Sequence, residues 1–285
     1  MPTPAELRKQ FIKAFDRLAR HRERHDVLAD FLEMATCAIR KTTLPPGPDA
    51  DALEDRYMAV VKRNKVADVR AMPELLGITA LAIQEGGCDF LGQVVVELEL
   101  PSQHMGQFFT PYDVSRMMAE MTFDTVDEII AEQGFVTVQE PACGAGGMII
   151  AAADVIEAKG FDIGRQLYVD GTDISPMCFR MSYLQASLRG IPATIRRGNT
   201  LSLEVFEHAI TPAFLPFYAA HREAFDAWHR GEGRGGISYD AQVTQRDAEA
   251  QLIEPEPVKP ARPTAQSRPR DAGQPRQLDL FGSDP

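Results

Sequence analysis

The stretch FVTVQEPACGAGGM, from Phe135 to Met148, carries the strongest fold signal in this sequence. Five mostly β-branched or aromatic residues lead into an acid and a proline, then into a glycine-rich turn and an apolar run over about 147–158. β-Branched residues favour a strand, and glycines permit a sharp turn into a helix. The stretch therefore predicts a strand, a ligand-sized loop and a helix whose first N–H groups attract a negative group. For the loop taken alone, a tight connection without any ligand is the alternative.

Two further strands are predicted downstream. The first covers about 166–172 and leads into Asp173, after which Ser175 and Pro176 begin a helix to about residue 189. The second covers about 193–197. Right-handed crossovers would make the three strands parallel, with a ligand crevice at their carboxyl ends. An acid at the end of the second strand often binds a ribose, so Asp173 is a candidate binding residue, with helix capping as the alternative.

Residues 1–100 are predicted to be helical. Apolar residues recur every three or four positions, and the sequence LPPGPD interrupts that pattern. The predicted helices cover about 5–19, 26–39, 51–65, 72–84 and 88–99. Between this region and the first strand lies GQFFTP, from Gly106 to Pro111. Thr110 is placed to cap a further helix that begins at Pro111 and continues to about residue 133.

Four motifs in a fixed order carry a family resemblance. They are GQFFTP, EPACGAGG, GTDISP and IRRGNTL. In order and spacing they resemble the N6-adenine DNA methylase domain of type I restriction–modification M subunits, over residues 88–203. The resemblance implies an α/β fold, with a Rossmann-like S-adenosylmethionine-dependent methyltransferase core preceded by an all-α N-terminal region. Whether the sheet of that core is complete is left open.

The resemblance also implies a site for S-adenosyl-L-methionine. In that family the Thr-Pro segment and the acidic glycine loop hold the methionine part of the cofactor. The acid after the second strand holds the ribose, and the residue beside it lies against the adenine. The residue after the third strand, often Asp, is Asn199 here, and its side-chain carbonyl could still reach the adenine amino group. The cofactor-binding residues implied in this way are Phe109, Thr110, Pro111, Glu140, Ala142, Gly144, Gly146, Asp173, Ile174 and Asn199.

The catalytic motif of that family, Asn-Pro-Pro followed by an aromatic residue, does not occur in this sequence. Its Asn accepts the amino hydrogens of adenine, and its aromatic ring stacks on the base that is flipped out of the duplex. The nearest string contains Thr211, Pro212 and Phe214, in which Thr lacks the amide carbonyl. These three residues are weak catalytic candidates, and a plain loop before a helix at about 214–229 is the alternative. The part of the methylase domain that would bind the target adenine is therefore either missing or supplied by another chain.

Composition limits the partners that the chain can bind unaided. The 285 residues have a net charge of −11, which disfavours a protein that binds DNA alone, so a partner subunit is expected on DNA. Basic spots at 17–24 and 196–197 are interpreted as solvated faces. The four cysteines form no zinc or disulfide spacing, and Cys143 is interpreted as a small packed residue. No signal peptide or bilayer-length apolar run is recognised, so a cytoplasmic location is expected.

The C-terminal part differs in composition from the rest. Residues 231–276 are rich in Pro, Arg, Gln and Ala, which is typical of a disordered linker. The tail at 277–285 begins with QLDLF, which resembles the peptide that docks on the bacterial replication sliding clamp. The predicted clamp-binding residues are Gln277, Leu278, Leu280 and Phe281, of which Leu280 and Phe281 are the hydrophobic anchors. The predicted domains are thus a helical region at 1–100, a cofactor-binding core at 101–230, the linker and the tail.

Two classes of function follow. The first is a DNA (adenine-N6) methyltransferase related to restriction–modification. The second is a catalytically inactive methylase-like module that acts as a regulator, an anti-restriction factor or a clamp-recruited adaptor.

Overall fold

The computed structural model describes residues 2–84, 88–100 and 109–230, all of which belong to the unit Met1–Val243. Gly106 to Phe108 of the GQFFTP motif, the predicted linker at 231–276 and the predicted tail at 277–285 lie outside the described residues.

The N-terminal region is helical, as predicted. Helix α1 begins after Thr3, whose hydroxyl accepts the N–H of Glu6 while the Glu6 carboxylate accepts the N–H of Thr3, which together form a capping box. One face of α1 is buried against α4 and α5. The helices are α1 (Pro4–Leu18), α2 (Arg24–Lys41), α3 (Pro48–Arg63), α4 (Val66–Gln84) and α5 (Phe90–Glu97). Helix α4 begins six residues before its predicted start and contains Pro73 in its interior.

The predicted helix over 111–133 is two helices. Helix α6 (Tyr112–Thr122) ends at Phe123, and α7 (Val126–Gln133) follows it. The predicted cap is wrong by one residue, because Pro111 is extended, with ψ of 138°, and occupies the N-cap position itself. The side chain of Thr110 therefore does not cap α6, whose N-cap forms no side-chain hydrogen bond.

Three parallel strands form the centre of the α/β unit, which confirms the predicted fold class. The strands are β1 (Val136–Glu140), β2 (Leu167–Asp173) and β3 (Ala193–Asn199), and each pairs in parallel with the next. The helices that connect them are α8 (Gly147–Ala158), the short α9 (Ile163–Gln166) and α10 (Pro176–Arg189). The carboxyl ends of the three strands consequently lie at one edge of the sheet.

A fourth strand escaped sequence analysis. Strand β4 (Glu204–Ile210) pairs antiparallel with β3, which gives the order β1-β2-β3-β4. Its residues are mostly exposed, so it lacks the apolar run of a buried strand. Hydrogen bonding to β3 makes this segment an edge strand.

One hydrophobic core joins the helical region to the sheet. It contains Phe11 and Phe31 from the N-terminal helices together with Val169 and Ile195 from the strands. Helix α11 (Phe214–His229) covers the other side of the sheet through a second cluster centred on Tyr168. The residues of this cluster are Phe135, Tyr168, Phe217, Phe225 and Trp228. The predicted helical region at 1–100 and the predicted cofactor-binding core at 101–230 thus contribute to one hydrophobic core.

Candidate functional site

The glycine loop turns where β1 meets α8, and two of its glycines have positive φ angles. Gly144 has φ of 56° and Gly146 has φ of 101°, a region that side chains disfavour. A Cβ on Gly146 would lie 3.2 Å from the Cα of Ser182 in α10, so the loop also packs too closely for a side chain there. The N–H of Cys143 donates to the carbonyl of Thr172 over 2.9 Å and fixes the loop to the end of β2.

Asp173 connects the ends of the first two strands. Its Oδ2 accepts the N–H of Gly144 over 2.9 Å, and its Oδ1 accepts the N–H of Ser175 over 2.8 Å. The bond to Ser175 supports the helix-capping alternative for Asp173, since Ser175 is the N-cap of α10. The first bond is a contact across the sheet that capping does not require. Each carboxylate oxygen retains a lone pair, so Asp173 can still accept hydroxyl donors from a ligand.

Glu140 places a second carboxylate at the same edge. Its Oε1 accepts the N–H of Ala142 over 3.3 Å. Burial raises the pKa of Glu140, and the negative charge of Asp173 raises that pKa further. Among the described residues, no Lys or Arg lies within ion-pair distance of either carboxylate. The edge therefore carries two acids without a cation from this part of the chain.

The turn after β3 closes the site from the far side. The hydroxyl of Thr200 donates to the carbonyl of Pro141 over 2.6 Å, which links the loops that follow β3 and β1. The side-chain carbonyl of Asn199 accepts the N–H groups of Leu201 and Ser202 over 3.0 and 3.4 Å. Both lone pairs of that oxygen are used in the turn, so the predicted contact of this carbonyl with an adenine amino group would require the turn to open.

The Thr-Pro segment borders a neighbouring cleft of about 560 Å³. Phe109, Thr110 and Pro111 line the cleft, and Glu140 and Asp173 are not part of its lining. Phe109 connects the two places, because its ring lies 3.5 Å from the position of a Cβ on Gly144. The structure therefore brings the Thr-Pro segment against the glycine loop, with the two carboxylates at the adjoining strand ends.

Gln185 is a residue of the site that sequence analysis missed. It is fully buried on α10, where its Nε2 donates to Asp89 Oδ1 and to the carbonyl of Ala145, over 2.6 and 2.7 Å. Its Oε1 accepts the N–H of Leu91 over 3.1 Å. The amide thus fixes the glycine loop to the start of α5. A polar residue inside the otherwise packed face of the helix was the available signal.

The weak catalytic candidates lie at the opposite edge of the sheet. Because β4 is antiparallel, Ile210 pairs with Thr194 near the start of β3, and Glu204 pairs with Asn199 at its end. Five residues of strand separate these positions by roughly 17 Å. The candidates placed there are Thr211, Pro212 and Phe214.

Contacts at that edge give these candidates a structural role. The hydroxyl of Thr211 is fully buried, donates to the carbonyl of Ile191 over 2.7 Å and accepts the N–H of Ala193 over 2.9 Å. Phe214 packs against Tyr168 with ring centroids 5.9 Å apart. This geometry favours the alternative, a connection that precedes α11, over a catalytic motif.

Several side-chain predictions can be compared with their surroundings. Cys143 is buried, and burial raises the pKa of its thiol, which confirms a small packed residue rather than a nucleophile. Arg196 and Arg197 are not a solvated face, because they pair with Asp170 and Glu207.

In the described ranges no cluster of three His, Cys, Asp or Glu side chains could hold a metal ion. No helix there is both long and apolar enough to cross a membrane.

Comparison with known proteins now identifies the domain. Residues 99–226 match the model of the N-6 DNA methylase family. The chain contains an N6-adenine methylase domain. The matched range begins just before the Thr-Pro segment and ends within α11, so it includes the whole sheet of the methylase domain and both carboxylates.

One curated relative and one solved structure resemble the chain. The methylase subunit of the type I restriction enzyme MjaIX from Methanocaldococcus jannaschii is 30% identical over 107 residues, which are 38% of this chain and 17% of the relative. A protein described as a class I S-adenosylmethionine-dependent methyltransferase from Listeria monocytogenes matches 67% of this chain and 52% of its own, with 15% identity and a TM-score of 0.37. The methylase domain thus corresponds to a small part of the type I subunit.

Proposed function

We propose that this methylase domain binds S-adenosyl-L-methionine and, with a partner chain, methylates the N6 atom of adenine in DNA. The observation that supports this most directly is the pair Glu140 and Asp173, two carboxylates beside a glycine loop with no ion-pair partner among the described residues. A ligand that carries positive charge and hydroxyl donors would compensate both acids.

The charges of the cofactor fit this arrangement. S-Adenosyl-L-methionine carries a sulfonium and an ammonium group, which the half-buried Glu140 would attract. Its ribose has two hydroxyl donors, and Asp173 has acceptor capacity left after its two backbone bonds. A dinucleotide would bring its pyrophosphate to the same loop, where the two carboxylates would repel it. The site therefore favours the methyl donor over a phosphate-bearing cofactor.

The remaining proposed contacts follow from position. Ile174 is 58% exposed beside Asp173 and offers an apolar surface for the adenine of the cofactor. Phe109, Thr110 and Pro111 would enclose the methionine part, with Ala142, Gly144 and Gly146 providing close backbone approach. Asn199 would hold the turn behind the adenine through its two backbone bonds.

The bound cofactor would supply an electrophilic methyl group. The residues of this chain would position the methyl donor and balance its charge. The sequence contains no Asn-Pro-Pro motif to accept the amino hydrogens of a target adenine, and the side-chain carbonyl of Asn199 is already engaged in the turn. We therefore assign base handling to a partner chain. The type I relative is a methylase subunit of a larger enzyme, which supports a restriction–modification setting for the proposal.

A partner is also needed to hold DNA. The net charge of −11 gives the chain an unfavourable long-range interaction with phosphates, and Arg196 and Arg197 already pair with acids. A specificity or companion subunit with a basic surface would supply the missing attraction.

Docking on the sliding clamp is a separate proposal that rests on the sequence QLDLF alone. Its predicted clamp-binding residues Gln277, Leu278, Leu280 and Phe281 lie outside the described residues. Replacing Leu280 and Phe281 by Ala should abolish binding of the full chain to purified clamp, and unchanged binding would contradict the proposal.

Calorimetry with S-adenosyl-L-methionine tests the cofactor step without any DNA. The wild-type chain should bind the cofactor, and Asp173→Ala should abolish binding. Asp124→Asn, a change at an exposed acid on the loop between α6 and α7, is the matched control and should bind normally. A wild-type chain that does not bind the cofactor would refute the proposal.

Methyl transfer tests the second step. Labelled cofactor and duplex DNA should give N6-methyladenine only when the companion subunit is present. If the chain binds the cofactor and yet no transfer occurs with any reconstituted partner, the inactive regulatory module becomes the better description.

A further inference from the structure

Helix α6 presents an apolar stripe to solvent. Val114, Met117, Met118 and Met121 are 40%, 55%, 46% and 76% exposed. Their spacing of three and four residues places all four on one side of the helix, two turns long. Such a stripe is the usual pattern of a helix face that is buried against another element. Here it belongs to none of the core clusters formed by the described residues.

The opposite side of α6 is already buried. Tyr112, Ser115 and Ala119 pack inward against α8, and the Tyr112 hydroxyl donates to Asp154 on that helix. The apolar stripe is therefore a second apolar face on a helix that is already held in place by its buried face. Nothing in the described part of the chain covers these four large apolar side chains, and their exposure is unfavourable unless a further segment or molecule packs on them.

Charge around the stripe restricts what can cover it. At 100° per residue, Asp113 and Glu120 border the stripe along one side. From Tyr112 to Gln133 the chain has six acidic side chains and one basic one, Arg116, which pairs with Glu120. DNA and anionic membranes would be repelled from this surface. In a second copy of this chain the stripe has the same acidic border, so self-association would bring like charges together.

We infer that α6 is a docking surface for an amphipathic helix of a partner protein whose apolar stripe is flanked by Lys or Arg. An apolar helix face binds such a partner by laying the two stripes together, and the basic flanks would pair with Asp113 and Glu120. Three methionines suit this role, because their flexible side chains adapt to the surface of a partner.

The position of α6 gives the docking surface a connection to the cofactor site. Pro111 is both the N-cap of α6 and part of the segment that lines the cleft with Phe109. A partner helix on the stripe would therefore lie next to the segment proposed to enclose the methionine part of the cofactor. The docking surface itself does not depend on methyl transfer, and it can be tested in the absence of cofactor.

The probes are two synthetic amphipathic helices of about 18 residues, or five turns, with the same leucine stripe. One has Lys flanks and the other has Glu flanks. In fluorescence anisotropy with the full chain, the Lys-flanked peptide should bind and the Glu-flanked peptide should bind at least about tenfold more weakly. Reversing Asp113 and Glu120 to Lys should reverse that preference. Absence of binding by the Lys-flanked peptide would overturn the inference.

Variants in the stripe locate the binding. Met117→Ser combined with Met121→Ser should weaken binding of the Lys-flanked peptide by about tenfold or more, because apolar contact area is lost. Leu81→Ser on α4 is the matched control, since Leu81 is 51% exposed and Met117 is 55% exposed. Because the substituted positions are exposed, the thermal unfolding transition of both variants should stay close to that of the wild type. Equal loss of binding in the two variants would contradict docking on α6.

Oxidation of methionine gives an independent measurement. With dilute peroxide, mass spectrometry should show rapid sulfoxide formation at Met117, Met118 and Met121 in the free chain, and protection in the complex. The buried Met72 and Met181, which are 3% and 0% exposed, are internal references. Sedimentation of the free chain tests whether a second copy of this chain occupies the stripe. A dimer that the stripe variants abolish would show that it does, and would overturn the inference.

Discussion

Asp173 accepts the backbone N–H of Gly144 over 2.9 Å, so the acid at the end of β2 holds the loop that follows β1. The same carboxylate accepts the N–H of Ser175 over 2.8 Å at the start of α10. One side chain thus fixes three elements around the proposed ribose position. In the proposed site Asp173 would therefore shape the loop as well as contact the ligand.

Asp173→Asn should separate these roles. The remaining carbonyl can accept one of the two N–H groups, while the new amide group would face the other as a donor against a donor. We expect a loss of stability of about 1–3 kcal/mol and a decrease in cofactor affinity of roughly tenfold to a hundredfold. Chemical denaturation and calorimetry measure the two effects. Asp124→Asn is the control, and equal behaviour of the two variants would show that Asp173 has neither role.

Glu140→Gln should change how stability depends on pH. Burial raises the pKa of Glu140 in the folded chain, so folding binds its proton more tightly and the wild type loses stability as pH rises through that raised pKa. Gln has no such proton, and the variant should therefore be the more stable of the two at neutral pH. Urea denaturation over a pH series that starts below the ordinary glutamate pKa of 4.5 should show no difference at the lowest pH and a growing difference as the pH rises. Glu128→Gln, an exposed substitution on α7, should leave the pH profile unchanged.

The same carboxylate should make cofactor binding depend on pH. Only ionised Glu140 attracts the sulfonium and ammonium groups, so the affinity of the wild type should fall as pH is lowered through the raised pKa. In Glu140→Gln the affinity should be weak and nearly independent of pH over that range. A variant that binds as tightly as the wild type at neutral pH would remove Glu140 from the proposed site.

Gln185→Leu should destabilise the chain and loosen the glycine loop. The change leaves the N–H of Leu91, the carboxylate of Asp89 and the carbonyl of Ala145 without their buried partner. We expect a loss of about 2–4 kcal/mol in the free energy of unfolding, measured with urea. Gln10→Leu, at an exposed position of α1, should remain within about 0.5 kcal/mol of the wild type. Faster hydrogen exchange at Gly146 and Gly147 in Gln185→Leu would locate the effect in the loop.

Thr211→Val distinguishes a structural threonine from a catalytic one. Val keeps the shape of Thr211 and removes the bonds to Ile191 and Ala193, so stability should fall by about 1–3 kcal/mol. Cofactor affinity, and methyl transfer in a reconstituted complex, should be unchanged at a temperature where the variant is folded. Loss of transfer with cofactor binding intact would restore Thr211 as a catalytic candidate.

The order of strand, glycine loop and helix could be predicted because its signals are local. β-Branched residues before Glu140, positive-φ glycines at the turn and Pro176 at a helix start each act within a few residues. The acids that end β1 and β2 were found for the same reason. Once three parallel strands are expected, their carboxyl ends must share one edge of the sheet.

No local signal shows which distant residues come into contact. Strand β4 is exposed and has no apolar run of its own, and only pairing with β3 makes it a strand. Its antiparallel direction moves Thr211 to the edge opposite Asp173, which no local pattern encodes. The three bonds of Gln185 likewise join segments far apart in the chain, because a buried amide is satisfied by whichever groups the packing brings to it. Local sequence patterns thus account for the first three strands, the glycine loop and the two acids, whereas long-range hydrogen bonding and packing account for the arrangement around those acids.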